Sequence, residues 1–497
     1  MNDPFSKWLE SIPSTKREEL AREYAKASTE AGAFVVRSDG TEQPIPPILA
    51  PLSVARNWMA QVSVDAHRLV SALVRLTEAI MSDESSALRK RLFGSFGPLE
   101  SLALAETWRE AQNLATVRVD YLVDSQNCHR ALEVNATIPA MQGYSDAIAE
   151  SFLRTIGRAR SLSEQQIESL IDSNGRNADD LVASLLAHYA RLGGPALSNK
   201  GLVIAIVARA GDAQRGELEH YSRRWSQLGH QVFLATPEQV QIREGVARIR
   251  GLEPDLIYRH VFARRIDPTS DFARICLEPV HFRILNPIAS HLEVKGMLAL
   301  LSEAAAGKTD RFQSSIGLSL EERDTIARTV PWTRLLSDES TVGPDGERIM
   351  NLAEWAVHNQ GRLVLKRSWD YGGRSVFIGG EKDATVQGRL AGLINAGHWT
   401  QGVLGWEDLI KFALADREPW VAQEQIRVES QSRLRVDPDG VHARPLYNDL
   451  SAFTNLGVSL KPQGGAVRCS ESKIVNILSG GGLAPLVFDD VLSQLLS

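Results

Sequence analysis

The chain has 497 residues, of which 43% are hydrophobic and 23% are charged, and its formal net charge is −6 at pH 7. This length allows about two to four structural units with a substantial buried core, and the mildly acidic balance gives no electrostatic reason to expect nucleic acid or an acidic membrane as a partner. The three cysteines stand far apart and no apolar run reaches membrane-spanning length, which favours a protein of the reducing cytoplasm.

Helical patterns dominate the first part of the chain, up to about Trp108. The segment STKREELAREYAKAS opens with an N-cap candidate at Ser14, and the segment that begins at Val54 carries apolar residues at helical spacing. The Pro-rich segment PIPPILAP separates the two. The pattern predicts a helical N-terminal region.

Two pairs of polar residues follow in a β-rich stretch, Arg118 with Asp120 and Glu133 with Asn135. The members of each pair are two residues apart, so on a strand they lie on one face. Residues 125–127 supply turn chemistry, which predicts an antiparallel hairpin that brings Asp120 near Glu133 and Asn135. Carboxylate and amide oxygens suit Mg²⁺. A solvated polar face, with Arg118 paired to a carboxylate, is the alternative that this segment alone leaves open.

A change of period follows a helical stretch that runs from Asp146 to about Leu192. Three segments predict strands around the helical segment AQRGELEHYSRRWSQLG, and these are GLVIAIVAR, QVFLATPEQV and PDLIYRHVF. This alternation predicts a parallel α/β unit. Because open sheets bind ligands beyond the carboxyl ends of their strands, Arg215, Arg259 and His260 are candidates for substrate contact. A packed or solvated histidine is the commoner state of a residue such as His260.

Two lysines lie where a phosphate could bind. Lys295 falls about one turn into the predicted helix HLEVKGMLALLSEAA, and Lys366 ends the predicted strand LVLKRSW, ahead of Gly372 and Gly373. An ammonium offers a point charge to phosphate, and glycine lets backbone N–H groups approach closely. Asp370 is placed to reach a metal ion held between those phosphates. A surface lysine and a plain hairpin turn are the alternatives.

The last part of the chain is predicted to be rich in strands. After the strand SVFIG we expect two helical stretches, the strand WVAQEQIRV, a DPDG turn and two glycine-rich segments. Gln423 and Glu424 interrupt an apolar strand and would offer hydrogen bonds to a base, unless the strand is simply part-exposed. The guanidinium of Arg468 suits a carboxylate or an acyl phosphate, with a structural salt bridge as the alternative.

In this order, the motifs resemble those of the circularly permuted ATP-grasp superfamily, which includes eukaryotic-type glutathione synthetase and glutathionylspermidine synthase. In ordinary ATP-grasp enzymes the segment with Arg-x-Asp, Glu-x-Asn and Pro-Gly closes the domain, whereas here it stands at 118–143, before the nucleotide-binding strands. The resemblance implies an α/β (α+β) chain: a circularly permuted ATP-grasp fold with an inserted Rossmann-like α/β substrate domain and a helical N-terminal region.

The resemblance also implies a division of the chain into four parts. These are a helical N-terminal region at 1–110, a permuted ATP-grasp segment with the metal-binding hairpin at 111–195, the Rossmann-like α/β (pre-ATP-grasp, substrate) domain at 196–290, and the nucleotide-binding subdomains with C-terminal glycine loops at 291–497.

Roles for individual residues follow from the matching positions. The implied metal ligands are Glu133, Asn135 and Asp370, with Asp120 as a further candidate. The implied nucleotide contacts are Lys295, Lys366, Gly372, Gly373, Gln423, Glu424 and Ile426. Arg118 and Arg468 resemble the catalytic clamps for substrate or phosphoryl oxygens.

The implied activity is an ADP-forming carboxylate–amine ligase that uses ATP and Mg²⁺. It would join a small carboxylate to an amine of the amino acid, peptide or polyamine class through an acyl phosphate, with neither nucleic acid nor a membrane as partner, and it is compatible with a homodimer. Two alternatives stay open: an ATP-grasp kinase or phosphotransferase, and a non-catalytic nucleotide-binding protein. A nicotinamide-dependent oxidoreductase is disfavoured because residues 201–236 contain no GxGxxG.

Overall fold

The computed structural model describes residues 4–82, 87–196, 201–306, 316–370, 372–381 and 405–497. Helices and strands alternate over most of this length, which confirms the mixed α/β (α+β) class. The helices are Pro4–Ser11, Ser14–Glu30, Arg56–Ser82, Ala87–Phe93, Pro98–Glu106, Gln142–Ala159, Glu164–Asn174, Asn177–Arg191, Arg215–Gln227, Asp271–Leu277, Lys295–Ala305, Leu320–Thr329, Leu352–His358, Trp406–Ala415 and Asp489–Leu496. None of these combines the length and the apolar character that a membrane crossing requires.

The predicted hairpin is confirmed, and it forms part of a six-stranded antiparallel sheet. Its strands in spatial order are Gly482–Ala484, Gly465–Ser470, Gly440–Thr454, Val117–Val123 and His129–Asn135, and Gln431–Asp437 pairs with the first half of Gly440–Thr454. Val119 and Val134, which lie between the polar positions, are buried in an apolar core shared with the N-terminal helices. The opposite face of the sheet is therefore left for the polar side chains.

The predicted parallel α/β unit is also confirmed. Its sheet has the strand order Ile284–Leu285, Leu256–His260, Val203–Ala208 and Gln231–Ala235, with all neighbours parallel. Alternate residues of the central strand pack into two different cores, Ile204 and Ile206 on one face and Ala205 and Val207 on the other. Both faces are covered, as parallel sheets require, which explains the continuous apolar run in the sequence.

A small antiparallel sheet completes the framework of the site. It has the order Thr333–Leu335, Trp420–Glu424, Leu363–Arg367 and Val376–Ile378, and it packs against the helices Leu352–His358 and Trp406–Ala415. The helix Trp406–Ala415 is one of the two helical stretches expected after residue 380. The rest of that expectation falls in 382–404, which lies outside the described residues.

The N-terminal region differs from the expectation because it is not purely helical. Phe34–Val36 pairs with Glu42–Pro44, and Leu52–Val54 pairs in parallel with Leu486–Phe488 near the end of the chain. The prolines of the intervening segment prevent a helix, and a pairing partner more than four hundred residues away leaves no periodic signal in the sequence. The other short pairs of strands are Val240–Arg243 with Val246–Ile249 and Thr341–Val342 with Arg348–Ile349.

Candidate functional site

A cleft lies between the polar face of the six-stranded sheet and the small antiparallel sheet. Apolar side chains such as Leu132, Val364 and Val428 line one part of it, and charged groups line another. Eight of the residues singled out from the sequence line this cleft: Asp120, Glu133, Lys366, Gly373, Gln423, Glu424, Ile426 and Arg468. An apolar slot that opens onto fixed charges suits a ligand with a flat apolar part and an ionic part.

Lys366 lines the charged part of the cleft, and Lys295 adjoins it through Glu133. Lys295 Nζ lies 3.5 Å from Glu133 Oε2 and donates to the backbone oxygen of Asp370 at 2.6 Å. Lys366 Nζ donates to Gln423 Oε1 at 2.7 Å and to the backbone oxygen of Leu132 at 3.3 Å. We call Lys295 and Lys366 the lysine pair. Their ammonium groups are held by one carboxylate and by neutral oxygens.

Burial of the ammonium lowers the pKa of Lys366 to about 8, with Glu133 opposing this change and Lys295 adding to it. Leu132 contributes its backbone oxygen because the pairing register shifts after Asp120, which leaves Leu132 without a partner residue across the hairpin. Such a bulge next to a cleft redirects backbone groups towards it.

The position of Lys295 in its helix corrects the sequence-based expectation. Lys295 is the first residue of the helix Lys295–Ala305, not a residue one turn inside it, because residues 290–293 form a separate 3₁₀ turn. The backbone N–H of Lys295 donates to Ser368 O and that of Gly296 donates to Ser368 Oγ, each at 2.9 Å. Tertiary hydrogen bonds thus satisfy N–H groups that a helix start leaves open.

Asp120 is surrounded by donors. Its carboxylate accepts Arg118 Nε at 2.8 Å and Arg118 Nη2 at 3.1 Å, Ser451 Oγ at 2.7 Å, Asn135 Nδ2 at 3.2 Å, and lies 2.9 Å from Arg468 Nη2. Burial alone raises the pKa of Asp120, but the two guanidinium groups hold it below its ordinary value. Both carboxylate oxygens are therefore engaged by the protein itself.

Arg468 extends this arrangement to an aspartate that sequence reasoning missed. Arg468 Nε and Nη2 donate to the two oxygens of Asp449, at 2.9 and 2.6 Å. Burial raises the pKa of Asp449 to about 6, although Arg468 opposes this change. We call Arg118, Asp120, Arg468 and Asp449 the arginine ladder, in which two guanidinium groups balance two carboxylates.

The sequence contains a signal that could have identified Asp449 and Ser451, which sequence reasoning missed. Asp449 and Ser451 are two residues apart on one strand, the same spacing as Arg118 and Asp120. The register pairs Asp449 with Arg468 and Ser451 with Asp120, which places all of them on one face. The register itself depends on pairing between distant segments, which the spacing does not reveal.

The glycine loop adopts the backbone shape that its composition allows. Gly372 and Gly373 have φ values of 71° and 70°, and Asn476 Nδ2 donates to Gly372 O at 2.9 Å. A side chain at Gly373 would lie 2.6 Å from Ile474, so this position needs glycine. The glycine loop therefore contacts the segment that carries Ile474 and Asn476, beside the cleft.

Two of the predicted metal residues, Glu133 and Asp370, adjoin Lys295, whereas Asn135 donates to Asp120 in the arginine ladder. Lys295 joins the side chain of Glu133 to the backbone of Asp370, and the Ser375 hydroxyl donates to the Asp370 carboxylate. Among the described residues, three acidic or histidine side chains with ligand atoms within 4.8 Å of one another occur instead at residues 437, 439 and 442, in a partly exposed hairpin turn.

Gln423 was expected to offer hydrogen bonds to a base, but its side chain makes hydrogen bonds within the protein instead. Its Oε1 accepts Lys366, and its Nε2 donates to Thr333 Oγ1 at 3.0 Å. The side chain is buried, and both of its ends are occupied. Glu424 lies 3.8 Å from Arg362. Gln423 thus holds Lys366, while Ile426 contributes to the apolar slot.

The candidates in the parallel α/β unit serve contacts inside the protein. Arg259 is buried and donates to the backbone oxygens of Val261, Asn286 and Pro287. Arg215 pairs with acidic neighbours at the surface. Burial lowers the pKa of His260 to about 4, so its imidazole is neutral at pH 7.

Comparison with solved structures identifies the fold. A glutathione synthetase-like effector from Globodera pallida, in its apo form, is similar with a TM-score of 0.60 and 11% identity, over 96% of this chain and 98% of that one. The chain has a glutathione synthetase-like fold. The resemblance expected from the sequence is thus confirmed at the level of the fold.

A second solved structure and two sequence comparisons were also considered. A protein named as a gamma-glutamylcysteine synthetase from Methylobacillus flagellatus has 10% identity and a TM-score of 0.38 over 82% of this chain and 89% of that one, too low to indicate a shared fold. No protein-family model matches the sequence, and no curated protein matches it as a relative.

Proposed function

We propose that the protein is an ATP-dependent, ADP-forming carboxylate–amine ligase that forms an amide or peptide bond through an acyl phosphate. The observation that carries this proposal is the lysine pair at the charged part of the apolar slot. Two buried ammonium groups face one carboxylate, Glu133, and otherwise neutral oxygens. A polyphosphate with an attached base meets both the charge and the shape.

The donor set beside the lysine pair fits Mg²⁺. Glu133 and Asn135 offer a carboxylate and an amide on one face of a strand, and the Asp370 segment adjoins them through Lys295. Mg²⁺ takes a few such oxygens and completes its shell with water and phosphate oxygens. When bound, the ion neutralises charge on the phosphoryl group that is transferred. We leave Asp120 outside this metal set because its oxygens are already engaged by the arginine ladder.

The chain's own residues supply orientation and charge for the reaction. Lys295 and Lys366 hold the phosphates of ATP while a substrate carboxylate oxygen attacks the γ-phosphorus, and the bond to the bridging oxygen breaks to release ADP. An amine then attacks the acyl carbon, phosphate leaves, and the amine loses a proton. Arg468, which lines the cleft, is positioned by Asp449 to stabilise the oxyanion. The glycine loop and its contact with Asn476 exclude water from the acyl phosphate.

The order of the segments supports a circular permutation as part of this proposal. The hairpin at 117–135 precedes the small antiparallel sheet at 333–424, yet both sides of the cleft are built from these two elements. We also retain the four-part division of the chain, with the parallel α/β unit as the region that adjoins the substrates.

The test is to incubate the purified protein with ATP, Mg²⁺ and pools of amino acids, small peptides and polyamines. We expect ADP, phosphate and a product whose mass equals acid plus amine minus water, detected by mass spectrometry. The Glu133→Ala/Asn135→Ala variant should lose this turnover, whereas Glu164→Ala, an exposed control, should keep it. A stable phosphorylated acceptor would favour a kinase, and ATP binding without turnover would favour a non-catalytic protein.

A further inference from the structure

The side chain of Glu293 accepts hydrogen bonds from the backbone segment that directly follows the predicted metal pair, Glu133 and Asn135. The backbone N–H groups of Ala136 and Thr137 donate to Glu293 Oε1 at 2.7 and 2.5 Å. These two residues follow Asn135, the last residue of the strand that carries Glu133. A single carboxylate oxygen therefore fixes the end of this strand.

The residues that follow Glu293 bind the other side of the cleft. Lys295 N and Gly296 N donate to Ser368, each at 2.9 Å, and Lys295 Nζ donates to Asp370 O at 2.6 Å. We call residues 293–296 the clasp. The clasp joins the metal-pair strand of the six-stranded sheet to the loop that follows Lys366 in the small antiparallel sheet.

The hydrogen bonds to the Glu293 carboxylate hold the backbone of residues 136 and 137 firmly in place. Hydrogen bonds to an ionised carboxylate are roughly twice as strong as neutral ones. Burial raises the pKa of Glu293, and the N–H groups of Ala136 and Thr137 oppose this change by stabilising the carboxylate. The opposite end of the clasp has its own anchor at Ser368, so loss of the Glu293 side chain releases the metal-pair strand and leaves Lys295 in place.

We propose that Glu293 is a positioning residue that sets Glu133 and Asn135 for the metal ion relative to the lysine pair. The inference deepens the proposed function and rests on it. Partners that orient metal ligands typically change metal affinity by about 10–100-fold when they are removed. We therefore expect Glu293 to control metal binding while leaving metal-free ATP binding close to wild type.

The experiment measures by calorimetry the binding of the preformed Mn²⁺–ATP complex and of metal-free ATP to the full chain, and the ratio of the two affinities reports how tightly the protein holds Mn²⁺. Glu293→Ala should weaken Mn²⁺ binding about tenfold or more. Glu293→Gln, whose amide oxygen still accepts both N–H groups but carries no charge, should weaken Mn²⁺ binding less than Glu293→Ala does. Glu293→Asp, which keeps the charge on a shorter side chain, should be intermediate and serves where Glu293→Ala does not fold.

Asp146 provides a matched control. Its carboxylate also accepts two consecutive backbone N–H groups, those of Asn177 and Ala178 at 2.9 and 2.8 Å, away from the cleft. Asp146→Asn should lower thermal stability without changing Mn²⁺ affinity.

Two outcomes separate the inference from the proposed function. Wild-type protein that binds no ATP would overturn the proposed function and the inference with it. Wild-type protein that binds ATP, with unchanged Mn²⁺ affinity in Glu293→Ala or Glu293→Asp, would overturn the inference alone.

Discussion

Two groups of charged side chains meet at the cleft, and they differ in how their charges are balanced. The arginine ladder sets two guanidinium groups against two carboxylates at distances of 2.6 to 3.1 Å, so its charges cancel within the protein. The lysine pair has Glu133 and neutral oxygens around it. Because the protein balances the charge of the lysine pair only in part, we place the proposed binding of a polyanionic ligand there and not at the arginine ladder.

Breaking the arginine ladder should give the largest effect, and it should be an effect on stability. Asp120→Ala leaves Arg118 and Arg468 buried with Asp449 as their sole carboxylate in the ladder, and we expect a loss of about 3–5 kcal/mol in the free energy of unfolding. Chemical denaturation measures it. Ser451→Ala removes one donor to Asp120 and should cost about 1–3 kcal/mol. A fully stable Asp120→Ala protein that has lost Mg²⁺-dependent ATP binding would return Asp120 to the metal set.

Breaking the lysine pair should act on the ligand instead. Lys366→Met removes an ammonium from a water-poor site, and we expect ATP-dependent phosphate release to fall about a hundredfold. Thermal stability should be kept, because a buried charge is replaced by an apolar group. Lys411→Met at an exposed position is the control. Full turnover in Lys366→Met would contradict the role of the lysine pair.

A change of pH sharpens the same comparison. Burial lowers the pKa of Lys366 to about 8, so the ammonium is charged at pH 7 and is lost as the pH rises past 8. ATP affinity should therefore fall by up to about tenfold between pH 7 and pH 9, and ATP binding in this range should take up protons. Calorimetry in buffers of different ionisation enthalpy measures both. Lys366→Arg, which stays charged, should flatten the profile, and an unchanged profile in this variant would assign the titration elsewhere.

The smallest effect should come from Gln423, which holds Lys366 but carries no charge. Gln423→Ala removes a hydrogen-bond acceptor worth about 1–2 kcal/mol, and we expect KM for ATP to rise several-fold with little change in kcat. Gln423→Glu should raise the pKa of Lys366 by placing a carboxylate beside it and should move the pH profile upward. Equal pH profiles in the two variants would show that Gln423 does not set the state of Lys366.

The sequence was sufficient to predict features that depend on local spacing. The hairpin follows from the alternation around Arg118 and Glu133 and from the turn at 125–127, and the parallel α/β unit follows from its change of period. The spacing also singled out Lys366, which lies between an apolar strand and glycines and which the structure places in the cleft, whereas its role towards phosphate stays a prediction.

Features that depend on distant pairing could not be predicted in this way. Asp449 is brought to Arg118 and Asp120 by the register between Gly440–Thr454 and Val117–Val123, which lie far apart in sequence, and Glu293 acts on residues more than 150 positions earlier. The same limit applies to Gln423, which was expected to offer hydrogen bonds to a base or to lie on a partly exposed strand, whereas its partners Lys366 and Thr333 lie on neighbouring strands.

The most direct test of the central claim is an equilibrium titration of the wild-type protein with ATP, with and without Mg²⁺. Three variants are compared with it: Lys295→Met/Lys366→Met, Glu133→Ala and Ser451→Ala. We predict saturable binding that Mg²⁺ strengthens, loss of binding in the double lysine variant, loss of the Mg²⁺ effect in Glu133→Ala, and wild-type binding in Ser451→Ala. Absence of ATP binding by the wild-type protein, or equal binding by the double lysine variant, would contradict the account.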